Sequence, residues 1–106
     1  MIKISVMRQN DDKVVGLSVE GHAESAEYGQ DIVCAGVSAL AQSVILGLAK
    51  HLHRKITYDV KPGYLNVAMQ DAADDLSEAM FAVAILGFEE IAQANPQNVA
   101  LSNIRR

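Results

Sequence analysis

Hydrophobicity in this chain repeats at every second residue, then along a helical stripe, and then goes through both patterns again; few folds accommodate that alternation. Ile2, Ile4 and Val6 alternate with Lys3 and Ser5, the signature of a half-buried strand. Gln9-Asn10-Asp11-Asp12 carries turn chemistry, and Val15, Leu17 and Val19 alternate beyond it, so the two strands join as a hairpin that Gly21 ends. Ala23 to Gln30 has no large aliphatic residue and reads as a surface loop with little to pack. Val33, Val37, Leu40, Ala41, Val44, Ile45, Leu48 and Leu52 then recur at helical spacing, which predicts a helix with one buried face. Asp31 is placed to cap it, its carboxylate accepting from unpaired first-turn N–H groups. The basic cluster Lys50, His51, His53, Arg54 and Lys55 suits the negative end of the dipole. Ile56–Val60 and Tyr64–Met69 flank Lys61-Pro62-Gly63 and predict a second hairpin. Asp71, Asp74 and Asp75 open a second helix with Leu76, Met80, Val83, Ala84, Gly87 and Ile91 as its stripe, Asn95-Pro96 stops it, and Val99–Ile104 supplies a last strand. The order ββαββαβ predicts an α+β fold, a two-layer α/β sandwich with a mostly antiparallel sheet and both helices on one face.

The chain has 106 residues, enough for one domain over residues 1–106 and too few for two cores. Half the residues are hydrophobic, so a core can form without disulfides or structural metal. With five aromatic residues and no Trp, that core is expected to be built of Ala, Val, Leu and Ile. The stretch Ile32 to Leu52 is apolar enough to raise the question of a membrane span. Cys34, Ser38, Gln42, Ser43, Lys50 and His51 interrupt it and leave a helical stripe, so a core helix fits better. Met1 to Met7 has no apolar core of a signal peptide. The single cysteine excludes an internal disulfide and fits a reducing, cytoplasmic compartment. A net charge of −4 argues against direct nucleic-acid binding, which needs a basic patch, and mildly favours a basic protein partner.

If Asp31 caps, Cys34 falls near the third helical position, where unpaired N–H groups and the positive end of the dipole favour a nucleophilic thiolate and could hold an oxyanion. A small buried hydrophobe fits the same place, and on the residues alone that inert reading carries the greater weight. His22 follows a strand and a glycine at the other end of the loop, whose length permits contact with Cys34 without requiring it. A surface histidine beside a turn fits equally. Asp31 could cap the helix or orient His22, and Ser38 lies one turn beyond Cys34 on the same face. Gly36 disfavours its helix by about 1 kcal/mol relative to Ala, so either a bound peptide or tight packing on the sheet approaches there. His51 and His53 do not face each other on a helix, and neither metal-ligand spacing nor a phosphate-binding loop is present, so no metal or cofactor is expected.

The run Gly21-His22-Ala23, followed by Tyr28-Gly29-Gln30-Asp31-Ile32-Val33-Cys34-Ala35-Gly36-Val37-Ser38-Ala39, resembles the signature of the bacterial ribosomal-processing cysteine protease family, Prp. The resemblance covers the whole chain in length and element order, and its specificity is concentrated in residues 21 to 40. It implies a cysteine endopeptidase that removes an N-terminal extension from a large-subunit ribosomal protein, the twenty-seventh in the usual numbering, cutting after a segment rich in apolar and aromatic residues. It implies His22 and Cys34 as the catalytic pair, with Asp31, Ser38 and Gly21 in support. It further implies a homodimer, and a loop carrying Ala23, Glu24, Ser25, Tyr28 and Gly29, hinged by Gly21 and Gly29, that closes over the substrate peptide. A non-catalytic peptide-binding module acting in ribosome assembly is the alternative, and a thiol-redox role lacks a resolving cysteine.

Overall fold

The structure, a computed structural model, describes residues 1–21 and 28–105, the stretch 28–31 by its backbone. The strands are β1 (Ile2–Arg8), β2 (Val14–Glu20), β3 (Ile56–Lys61), β4 (Tyr64–Met69) and β5 (Val99–Arg105), and the helices are α1 (Tyr28–Leu46) and α2 (Asp75–Ala94). The predicted ββαββαβ order holds. A π-helical turn over Gly47–His51 continues α1. Strands line up as β3-β4-β2-β1-β5 in one sheet, antiparallel throughout except for β1 beside β5.

Register explains why one face is buried. Val6 opposes Leu17, Leu17 opposes Val67, and Ile2 opposes Val99, so the apolar residues of four strands share the face that the helices cover. Lys3, Ser5, Ser18, Asn66 and Ser102 occupy the other face, as an antiparallel sheet with one solvated side allows. Against this sheet α1 lays Val33, Val37, Ala41, Val44, Ile45 and Leu48, all buried, which is the stripe expected of a core helix. The same segment, Ile32–His51, has the length and apolarity of a membrane span, with a mean hydropathy of 2.0.

Two expectations about the core change. Phe81 and Phe88 of α2 are fully buried in it, so the core is not purely aliphatic. The buried face of α2 is Ser77, Phe81, Ala84, Ile85 and Phe88, whereas Leu76 and Val83, assigned to its inner stripe, face outward with Leu86. This helix is apolar on both sides, and periodicity cannot tell which of two stripes meets the sheet. Its start is built as its acidic residues suggest. Asp74 caps it by accepting from the Ser77 N–H at 2.9 Å while the Ser77 hydroxyl accepts from the Asp74 N–H.

Glycines set the spacing of the two helices. A Cβ on Gly36 would lie 3.5 Å from the Cδ1 of Ile91, one on Gly87 would meet Leu40, and one on Gly47 would meet the Met80 sulfur. What faces Gly36 is therefore α2 and not the sheet, and at an ordinary contact distance rather than the tight approach expected there.

Candidate active site

Cys34 lies half-buried on α1 and borders a cavity of about 480 Å³ at one end of the sheet. Ser38 and Gln42 continue its wall at one-turn intervals, and the turn of the β3–β4 hairpin, Lys61 to Tyr64, forms the wall opposite. Gly21 closes the cavity at the end of β2. The Gln42 amide donates to the Ser38 hydroxyl at 2.7 Å, which holds both side chains on the cavity wall and leaves the Ser38 proton for a further acceptor.

Gly21 is required where it stands. Its φ of 101° lies in the left-handed region, and a Cβ there would collide with the Met1 carbonyl oxygen. Its N–H donates to the Gly63 carbonyl at 2.9 Å, tying the end of β2 to the Pro62-Gly63 turn. One hydrogen bond thus joins the stretch before the expected catalytic histidine to the cavity's far wall.

Other expectations are displaced. α1 begins at Tyr28, so Tyr28 and Gly29 belong to its first turn and not to a loop. Asp31 sits inside that turn and cannot be the N-cap, although a carboxylate there still suits the positive end of the dipole. The helix starts before its apolar stripe does, because Tyr28-Gly29-Gln30 contains no aliphatic residue and leaves no periodic signal. Cys34 follows the helix start by six residues, about 9 Å along the axis, so the unpaired first-turn N–H groups are not the donors at Cys34. His22, Ala23, Glu24 and Ser25 lie outside the described residues.

A family model, Cysteine protease Prp, matches residues 1–100. The chain belongs to that family. A Staphylococcus aureus relative, Ribosomal processing cysteine protease Prp, is 29% identical over 105 residues, covering 96% of this chain and 98% of that protein. The Bacillus subtilis protein of the same name is 45% identical over 40 residues, 38% of this chain and 36% of its own length. Among solved structures, SMU.848 from Streptococcus mutans superposes with a TM-score of 0.88 at 25% identity, covering 100% of this chain and 99% of that one. The S. aureus Prp in complex with a substrate peptide has a TM-score of 0.88 at 22% identity, covering 98% of this chain and all of that one, a likeness of fold. This Prp-family chain is a cysteine protease, and the reading as a non-catalytic binding module is set aside.

Sequence reasoning missed the wall opposite Cys34. Lys61-Pro62-Gly63-Tyr64 was legible as a turn, but only the sheet order brings that turn to the cysteine. The Lys61 ammonium stands 5.1 Å from the centre of the Tyr64 ring, a cation–π contact that stiffens the turn at the cavity's edge. Gln42, which helical spacing places one turn beyond Ser38 on the same flank as Cys34, does stand on the cavity wall.

Proposed function

We propose that this protease removes the N-terminal extension of the twenty-seventh large-subunit ribosomal protein in the cytoplasm, using Cys34 as nucleophile and His22 as its base. The observation that carries the reading is the cavity bordered by the chain's single cysteine and by Gly21, to which His22 is bonded. Covalent geometry keeps the His22 Cα about 3.8 Å from that of a cavity-lining residue. His22 takes the thiol proton, the sulfur attacks the scissile carbonyl, His22 returns the proton to the departing amine, and water releases the acyl-enzyme. The Ser38 hydroxyl, one turn along the same face, is available to donate where negative charge develops. Asp31 supports the pair as a negative charge preceding Cys34. Closure of the loop that follows Gly21 over the peptide completes the site.

Incubation of the purified protein with the extended ribosomal protein tests this reading. Cys34→Ala and His22→Ala should each lower the rate roughly 10³-fold or more, and full cleavage by either variant overturns the assignment.

The active form is a homodimer. Support comes from α2, whose outer face presents Leu76, Val83 and Leu86, each more than half exposed, at spacings that line them up along the helix.

A further inference from the structure

We propose that the substrate lies as an added strand along the outer edge of β3, with alternate side chains seated in the groove between β3 and α1; this rests on the proteolytic reading above. Among the described residues β3 is the outermost strand on its side of the sheet. The two-residue Pro62-Gly63 turn closes on the pair Lys61 and Tyr64, so Lys61, Asp59 and Thr57 exchange hydrogen bonds with β4. By the same alternation, Val60, Tyr58 and Ile56 aim their N–H and C=O groups away from β4, toward whatever lies beside the edge.

Those three residues also face the helix layer, because they oppose Leu65, Val67 and Met69, all buried. Yet Tyr58 is 62% and Val60 45% exposed, since α1 stands off from the edge there. The gap is a second cavity of about 260 Å³, walled by Ile45, Leu46 and Ala49 of α1 and its π-helical continuation and by Tyr58 of β3. Gln42 and Val60 border both this cavity and the one at Cys34, so the groove is continuous with the reactive thiol. From Cys34 to Ala49 it spans about 22 Å of helix, the length of six or seven extended residues.

Unpaired strand edges with exposed apolar side chains invite pairing, and natural edges are usually blunted by charge or covered. Here the edge carries Tyr58 and Val60 toward an apolar groove that leads to the nucleophile. The occupant that satisfies both the backbone groups and the groove is an extended peptide with apolar or aromatic side chains at every second position. A second copy of this chain paired edge to edge is the competing occupant, but it would not place a scissile bond at Cys34.

The probe is a synthetic peptide spanning the processing junction of the extended ribosomal protein, with single N-methyl groups placed in turn along its backbone. Turnover is followed with the wild-type protein and affinity with Cys34→Ala. N-methylation should weaken binding about tenfold at alternate positions and leave the positions between unchanged. Leu46→Asp should raise KM for the unmodified peptide by a similar factor with kcat little altered, and Tyr58→Pro, which removes an outward N–H without touching the ladder, should do the same. A scan with no period of two, or full affinity in both variants, overturns the edge proposal and leaves the protease reading standing. Failure to cleave the unmodified peptide overturns both. Affinity lost only as the protein's own dimer forms assigns the edge to a second copy and overturns the peptide.

Discussion

Gly36 stands two residues beyond Cys34 on α1, where the nearest atom to an added Cβ would be the Ile91 Cδ1 at 3.5 Å, an ordinary contact. Alanine there would relieve the entropy that glycine loses in a helix without crowding α2. Gly36→Ala should therefore stabilise the fold by about 0.5–1 kcal/mol, read as a higher urea midpoint at unchanged slope; destabilisation would mean that α2 cannot accept the methyl. Asp74 shows a charge held by geometry. The Ser77 backbone N–H lowers its carboxyl below the usual 3.8, desolvation opposes this, and Arg54, paired with it at 2.6 Å, assists. A depressed folded-state value contributes stability that is present above the unfolded value and is lost as pH falls through the folded one. Asp74→Ala should accordingly flatten the dependence of stability on pH below about pH 4, checked by denaturant melts across the acid range; an unaltered profile would locate the acid sensitivity elsewhere.

Between elements, α2 is pinned to the first hairpin by Glu78. One carboxylate oxygen accepts from the Val14 N–H at 2.7 Å, and the other lies 3.8 Å from Arg8. Val14 is buried at the start of β2, so removing the carboxylate takes away the protein acceptor of its N–H. Glu78→Ala should cost about 1–3 kcal/mol, measured by chemical denaturation, and a change within error would mean that water replaces the carboxylate. The helix pair itself is spaced by Gly47 and Gly87, where a Cβ would collide with Met80 and Leu40, and this spacing bears on where α1 stands over the sheet. Its position leaves the β3 edge uncovered and opens the groove beside Cys34.

At the scale of the molecule, the sandwich has one polar sheet face, one core, and an outer helix surface that is not polar. Leu76, Val83 and Leu86 on α2 form an apolar stripe of the kind that a monomer rarely exposes. Val83→Glu, at the middle of the stripe, should convert the proposed dimer to monomers in sedimentation velocity without loss of helical signal. A wild-type protein that is monomeric at micromolar concentration would remove the stripe's role.

Alternation, helical stripe and turn residues determined most of the fold by themselves, since strand and helix periods differ and each element buries one face. On β2 a bulge opposite Met7 and Arg8 puts Val14, and not the expected Val15, into the core. The stripe from Val33 to Leu52 reads correctly because its large aliphatic residues recur at helical spacing, and Ile2 to Val6 because a single face is apolar. Where that condition fails, the sequence is silent. On α2 two apolar stripes compete, and only packing decided that Phe81 and Phe88 turn inward while Val83 turns out. At the start of α1, Tyr28 to Gln30 include no aliphatic residue, so the helix begins earlier than its stripe and Asp31 is not its cap. Cys34 and His22 were legible as residues; the opposite wall was not, because Tyr64 and Gly63 reach the cysteine through the order of strands in the sheet, a long-range property that no local period encodes.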